Sequence, residues 1–197
     1  MLPVRVAIPE SFYSIETGEP HAACLACDRA LLDGSTEYLI EKGMRQYETY
    51  DVQETIFEYA ICMDCHTTMR QAFSEHSKRR FEAYLSRHVD LTERTRMLLD
   101  AEADAPEATA PDPTDWTQRC IVHDTPRPEL EEYQLMAHCQ GNQMLLTHLP
   151  LLMGGPALDG LTQCLSNETI DELGGFRDEH LGLPPDLKHD LQGPVVA

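Results

Sequence analysis

The sequence predicts an α+β fold made of two small units, the first of which is stapled by a metal ion. Two Cys-x-x-Cys pairs, Cys24/Cys27 and Cys62/Cys65, are separated by 34 residues, and this pattern is typical of one four-thiolate metal site. Upstream of Cys62, apolar residues alternate as in half-buried strands, whereas after Cys65 they recur at helical spacing. The change of period at the second cysteine pair favours strands followed by helices.

The strands of the first unit are indicated by β-branched and aromatic residues. Residues 4–8 predict a short edge strand that ends at Pro9, because proline has no N–H for a ladder. Residues 38–42 predict a second strand, after which Gly43 opens a turn or a bulge. Residues 47–61 predict a third, in which Phe57, Tyr59 and Ile61 share one face and the strand leads directly into Cys62.

Two helices are predicted after Cys65. Met69, Phe73, Phe81, Tyr84 and Leu85 lie near one helical stripe, which Ser74 interrupts. Since serine is a good N-cap, we expect a short helix near 64–73 and a longer one near 75–88.

The chain divides near residue 108. Residues 101–117 contain three prolines and many acidic and alanine residues, which predicts an extended, self-repelling linker. The organisation expected is a cysteine-rich metal-binding domain over 1–100, this linker, a second α+β domain over 118–182 and a flexible tail over 183–197.

The second unit resembles a degenerate copy of the first. A shift of 92 residues superposes Tyr59–His88 on Leu151–His180, so that Ser74 meets Ser166 and His88 meets His180. In this copy Cys62 and Cys65 become Gly154 and Ala157, and a hairpin is predicted around Gly141-Asn142. The identities are no more numerous than chance gives, so duplication and coincidence both remain open.

The four cysteines predict one closed tetrahedral Zn²⁺ site. Zn²⁺ binds thiolates tetrahedrally, and two residues between cysteines let both sulfurs of a pair face one ion. We expect the ligands Cys24, Cys27, Cys62 and Cys65, with the second pair at a helix start, where backbone N–H groups favour thiolate. Only 7% of the residues are aromatic, so a structural metal would compensate for a thin core.

These residues resemble the treble-clef group of zinc fingers over residues 20–90. In that group a knuckle Cys-x-x-Cys, a β-hairpin and a helix-borne Cys-x-x-Cys hold one zinc; a zinc ribbon, with both pairs on knuckles, is the alternative. The resemblance implies no particular function, because such modules bind nucleic acid, proteins or ubiquitin.

Other donors are weaker candidates. His21 or His66 could replace a cysteine ligand, although an imidazole that does not bind the metal is the more ordinary interpretation. A second zinc site is an alternative at Cys120, His123, His138 and Cys139, but adjacent strand residues point to opposite faces. Cys139 and Cys164 are more simply small buried hydrophobes.

Composition limits the function classes. The formal net charge is −19, which opposes nucleic acid and anionic membranes, and no apolar run is long enough to span a bilayer. Seven cysteines without an evident export signal indicate thiols in a reducing cytoplasm.

No catalytic constellation stands out, so the leading hypothesis is a non-catalytic protein-interaction or scaffold protein with one structural zinc. Two alternatives remain. Residues 66–96 carry seven basic and four acidic groups, so a helix over 70–96 could bind nucleic acid. The cysteines could instead form a zinc–thiol redox sensor.

Overall fold

One antiparallel sheet of six strands runs through the protein. The computed structural model describes residues 3–47, 50, 52–103 and 112–181. The strands are β1 (Val4–Ala7), β2 (Glu37–Tyr47), β3 (Val52–Cys62), β4 (Glu132–Gln140), β5 (Gln143–Leu146) and β6 (Leu151–Gly154). Their spatial order is β1-β5-β4-β2-β3, and β6 pairs with β4 on the same edge as β5.

In the described part of the chain, five α-helices accompany the sheet. They are α1 (Met63–Gln71), α2 (Glu75–His88), α3 (Thr92–Ala103), α4 (Gly155–Thr162) and α5 (Asn167–His180). The predictions of an edge strand near 4–8, a short helix near 64–73 and a helix over 75–88 are confirmed to within one or two residues. The α+β class is likewise confirmed.

The β2–β3 hairpin is longer than the sequence indicated. β2 continues through Gly43 to Tyr47, and the register with β3 shifts between Gly43 and Met44, so Gly43 marks a bulge rather than a turn. The ring of Phe57 lies against this position: a Cβ on Gly43 would be 2.4 Å from Phe57 Cε1. Glycine therefore lets an aromatic ring lie across the strand.

The predicted hairpin around Gly141 is confirmed as β4–β5. Gly141 has φ 57°, a conformation that favours glycine. Its carbonyl accepts a 2.8 Å hydrogen bond from the buried Tyr38 hydroxyl of β2, which ties the turn to the neighbouring strand.

β2 and β4 join the two halves of the chain. They pair over nine residues, from Glu37 opposite Gln140 to Arg45 opposite Glu132. Tyr38 and Tyr133, the largest fully buried side chains, lie on these two strands. The predicted domain ranges 1–100 and 118–182 thus share one sheet and one core; their boundaries stay a prediction.

The ends of the predicted linker 101–117 are helical rather than extended. α3 continues to Ala103, and Asp115–Thr117 form a 3₁₀ turn in which Trp116 is buried. Residues 104–111 and the predicted tail 183–197 lie outside the described residues. Within the described part of the chain, no helix is long and apolar enough to cross a bilayer.

Arg94 anchors α3 on the second half. Its guanidinium donates to the carbonyls of His148 (2.7 Å), Pro150 (2.6 Å) and Trp116 (2.9 Å) and lies 4.9 Å from the Trp116 ring centroid. Burial lowers the pKa of Arg94 to about 10. The basic segment predicted over 70–96 is therefore divided between helices, and one of its cations faces inward.

A cluster of four hydroxyls, two of them buried, joins the N-termini of α2 and α5. Ser74 caps α2 through Ser77 N–H, and Ser166 caps α5 through Thr169 N–H. Each helix also uses the other: Ser74 N–H donates to Thr169 Oγ1 (3.0 Å) and Ser166 N–H donates to Ser77 Oγ (2.8 Å). Ser77 and Thr169 are completely buried, so this hydroxyl cluster fixes the two helix starts against each other.

We predict that Ser77→Ala destabilises the protein by about 1–3 kcal/mol, because it leaves the Ser166 N–H buried without its acceptor. Urea unfolding of the two proteins measures the difference. The matched control is Ser86→Ala, at an exposed serine on the same helix, which should change stability by less than about 0.5 kcal/mol. Equal losses in both variants would show that the hydroxyl cluster contributes no special stability.

Candidate metal centre

The structure brings together the four predicted cysteines. The sulfurs of Cys24, Cys27, Cys62 and Cys65 all lie within 4.8 Å of one another. Cys24 and Cys62 are buried, Cys65 is half-buried and Cys27 is exposed. The cluster thus lies at the surface, with one side closed by protein.

The sulfur spacing fits a metal ion rather than a disulfide. Cys27 Sγ and Cys62 Sγ are 3.8 Å apart, and a tetrahedral ion with metal–sulfur bonds of about 2.3 Å places its sulfurs about 3.8 Å apart. A disulfide would require about 2.05 Å, and all seven cysteines are free thiols. The four residues could therefore hold one metal ion.

The first pair lies on a tight turn. Asp28 N–H closes the turn on the Cys24 carbonyl at 3.0 Å, and Leu25 N–H donates to the Ala60 carbonyl of β3 at 2.8 Å. Asp28 has φ 56°, a region in which aspartate is enriched among non-glycine residues. The turn is thereby attached to the strand that carries the second pair.

The second pair begins α1, as the sequence predicted. Cys62 is the last residue of β3 and the N-cap of α1, and Cys65 lies in the first helical turn. The Cys62 N–H donates to Cys24 Sγ at 3.3 Å. The junction between β3 and α1 therefore supplies two of the sulfurs, and its backbone donates a hydrogen bond to a third, that of Cys24.

The thiols of the cluster differ in acidity. Burial raises the pKa of Cys24, but hydrogen bonds from the backbone of Cys62, Ala26 and Cys27 outweigh burial and bring its pKa down to about 7. Burial also raises the pKa values of Cys62 and Cys65, and there it prevails. Without a metal, Cys24 is therefore more readily a thiolate than Cys62 or Cys65, and these two must lose protons to bind an ion.

A cation next to the sulfurs was missed by the sequence reasoning. Arg29 donates to Asp64 Oδ2 at 2.5 Å, and its pKa is raised by that hydrogen bond and charge and by the sulfurs of Cys62 and Cys27. Its charge would partly offset the 2− charge of a divalent ion with four thiolates. The only signal in the sequence is position, since Arg29 follows the first pair closely and Asp64 lies within the second.

Neither candidate histidine belongs to the metal cluster. Burial lowers the pKa of His21, whose neighbouring charges are Glu58 and Lys42. Burial also lowers the pKa of His66, which lies near Arg70 and His138. Glu58 and Lys42 form a buried ion pair at 3.0 Å, so His21 lies beside that pair.

Three local features of the metal centre have counterparts in the second half of the chain. Asp124 has φ 54°, Ile121 N–H donates to the Leu152 carbonyl at 2.9 Å, and Gly154 N–H donates to Cys120 Sγ at 3.4 Å. These three features match Asp28, Leu25 and Cys62 in turn. Only Cys120 retains a sulfur.

The corresponding region of the second half is packed with apolar residues. Ala157 is completely buried, and a Cβ at Gly154 would lie 2.6 Å from Leu130 Cδ2. Among the described residues, the four cysteines of the first half form the only group that could hold a metal, so the alternative set Cys120, His123, His138 and Cys139 is not brought together. Cys139 and Cys164 are buried, as expected for small hydrophobes.

No protein-family model, curated protein or solved structure matches this chain. The interpretation of the centre therefore depends on its geometry.

We predict that Zn²⁺ affinity falls at least about 100-fold for each pH unit lost near neutrality, because Cys62 and Cys65 must each release a proton to bind. The fall should steepen below pH 7, where Cys24, with its pKa of about 7, also becomes protonated. Competition with a chromophoric zinc chelator at several pH values measures this slope. A change of less than about tenfold per unit would show that fewer than two thiols deprotonate on binding.

Proposed function

We propose that this chain is a non-catalytic protein-interaction or scaffold protein, held in shape by one structural Zn²⁺ on Cys24, Cys27, Cys62 and Cys65. The observation that carries the proposal is the clustering of four sulfurs within 4.8 Å of one another, of which one pair has the 3.8 Å separation of a tetrahedral site. Four protein ligands complete the tetrahedron of Zn²⁺, whereas catalytic zinc keeps a position open for water or substrate. A closed site supports a role in folding.

Zinc is the metal we assign because an all-thiolate tetrahedral set favours Zn²⁺ or iron–sulfur chemistry, and the usual closer cysteine spacing of cluster proteins is absent from this sequence. The ion would join the Cys24 turn, the β2–β3 hairpin and α1. This combination supports a treble-clef-like unit over residues 20–90 rather than a zinc ribbon, since the second pair starts a helix.

We further propose that residues 118–182 are a metal-free copy of that unit. The register of β2 with β4 supports this proposal. Tyr38 lies opposite Cys139, and Met44 lies opposite Tyr133. A shift of 95 residues places Tyr38 on Tyr133 and Met44 on Cys139, so each strand takes the place of the other. The reciprocal caps of α2 and α5 support it also. Ring contacts are repeated too, between Tyr84 and His88 at 4.7 Å and between Phe176 and His180 at 4.6 Å.

A second candidate function, a zinc–thiol redox switch, is favoured by the exposure of Cys27. Cys27 is an exposed residue whose sulfur lies 3.8 Å from that of Cys62, so peroxide could take two electrons from this pair, form a disulfide and release the ion. Release of one zinc per chain at low peroxide dose, reversed by dithiothreitol, would support the switch; retention of zinc under those conditions would exclude it.

We predict one zinc per chain in the purified protein and its loss in each of the four single Cys→Ser variants at positions 24, 27, 62 and 65. Each variant should also unfold more readily, because metal-binding energy is here part of the folding energy. Elemental analysis and thermal unfolding measure the two effects.

The matched controls are Cys120→Ser and Cys164→Ser, which change buried cysteines outside the metal cluster. Both should retain the full zinc content. Zinc at less than half an equivalent in freshly purified wild-type protein, or retained in the Cys62→Ser variant, would contradict the assignment.

The interaction role has its own test. Affinity purification of the tagged, zinc-loaded chain from its native cells should recover a defined protein partner at near-stoichiometric amount. Recovery of nucleic acid instead, with a gel shift at physiological salt, would favour the alternative that the basic segment over 70–96 binds nucleic acid.

A further inference from the structure

Two adjoining cavities extend from the metal centre to β3. They are open, have volumes of about 540 and 580 Å³, and are both lined by residues of α5. Met69, Leu173 and Phe176 line both cavities, and the two together are called the groove. One end reaches Ala26 and Cys65 at the metal centre, and the other reaches the Phe57–Tyr59 stretch of β3.

The walls of this groove are apolar and aromatic. Met69 of α1 faces Leu173 and Phe176 of α5 across it, and all three side chains are only partly buried. Further along, the rings of Phe57 and Tyr59 stack with centroids 6.0 Å apart. Such walls suit apolar side chains and the aliphatic stem of a lysine or arginine.

The floor of the groove carries a carboxylate. Tyr59 hydroxyl and Gln134 Nε2 each donate to Glu41 Oε2 at 2.7 Å, and none of the described residues donates to Oε1. Burial raises the pKa of Glu41, although these two hydrogen bonds act in the opposite direction. A cation that enters the groove would therefore stabilise the ionised form of the Glu41 carboxylate.

The rim is acidic. Asp171, Glu172 and Glu179 line one cavity, and Glu58, which is paired with Lys42, lines the other. The side chains lining the groove that carry or can take up a positive charge are Arg177 and His180. Arg177 lies near Asp178 and His180 near Glu179, so the rim attracts positive charge overall.

We propose that this groove binds a segment of a partner protein in which a lysine or arginine is flanked by large apolar side chains. The inference rests on the interaction role proposed above and names the partner's chemistry. The apolar flanks would contact Met69, Leu173 and Phe176, and the basic side chain would lie along Phe57 and Tyr59 with its charge at Glu41. Stacking of the cation on these rings adds to the attraction.

Charge distinguishes a basic partner segment from two other candidate occupants of the groove, a second copy of the chain and the chain's own C-terminal segment. A second copy of the chain would bring together two molecules of net charge −19, which repel each other. The chain's own segment 182–197 carries one lysine and two aspartates, so its charge does not complement the acidic rim. A basic partner segment fits both the walls and the rim.

The test uses the zinc-loaded full chain and three fluorescein-labelled synthetic peptides of one length and pattern, built from Lys/Leu, Glu/Leu and Lys/Ser. Fluorescence anisotropy should show that Lys/Leu binds at least about tenfold more tightly than either other peptide, a difference that corresponds to 1.4 kcal/mol. Glu/Leu lacks the charge and Lys/Ser lacks the apolar flanks, so each removes one feature of the proposed ligand.

Matched variants locate the binding. Leu173→Lys places a cation in the groove and should weaken Lys/Leu binding at least about tenfold. Ile170→Lys makes the same charge change on the same helix, at an exposed residue that does not line the groove, and should change binding less than about twofold. Glu41→Gln should weaken it by about three- to tenfold. Circular dichroism and zinc content verify that each variant is folded.

Several results would overturn the proposal. These are equal binding of Lys/Leu and Glu/Leu, equal effects of Leu173→Lys and Ile170→Lys, or a dimer in sedimentation that Leu173→Lys abolishes. A gain in Lys/Leu affinity of tenfold or more on Leu187→Asp in the full chain would assign the groove to the chain's own tail instead.

Failure of the groove and failure of the interaction role are distinguishable. A native partner whose binding ignores Leu173→Lys overturns the groove but keeps the interaction role. Selective Lys/Leu binding without any native protein partner overturns the interaction role and leaves a groove that selects basic apolar peptides.

Discussion

The pairing of β2 with β4 is the constraint on which the rest of the structure depends. Nine consecutive residue pairs fix the two halves of the chain in one register, and a slip of one residue would turn Tyr38 and Tyr133 from the core to the opposite face. Every later element takes its place from this register. β3 and β6 flank the central pair, and the turns at Cys24 and Cys120 attach to those outer strands.

The hydroxyl cluster is a further consequence of the pairing between β2 and β4. Once the two halves are in register, α2 and α5 start at the same point, where their first N–H groups would otherwise be buried without acceptors. Each helix uses a serine of its own and a hydroxyl of the other half. Because the four hydroxyls are shared, the two helices cannot move independently without losing hydrogen bonds, and α5 is held beside α1.

The metal centre and the groove are connected through α1. Cys62 and Cys65 lie at the start of this helix. Met69, one helical turn after Cys65, lines the groove. An ion bound by the four thiols would fix the start of α1 and therefore the distance between Met69 and α5. A structural metal would in this way determine the shape of a surface that it does not touch.

Local features were readable from the sequence because their causes lie within a few residues. The Cys-x-x-Cys pairs, the cap at Ser74, the alternation around Phe57 and the glycine turn at Gly141 depend on short-range geometry, and the structure has each of them. Gly43 was ambiguous for the same reason: a glycine signals a bulge or a turn, and only the ring of Phe57 on the next strand decides between them.

Contacts between distant residues were decided by the tertiary structure. An arginine is expected at the surface, yet three carbonyls and the Trp116 ring hold the Arg94 guanidinium in the interior. Cys120 lies on a turn like that of Cys24, but Gly154 and Ala157 offer no side-chain donor that could bind a metal with it. The groove combines α1, β3 and α5 from both halves of the chain. The sequence by itself determined which residues can bind a metal. The fold decided which charges are buried and which surface lies beside the cysteine cluster, because burial depends on neighbours that are distant along the chain, such as the partners of Arg94, 22 to 56 residues away.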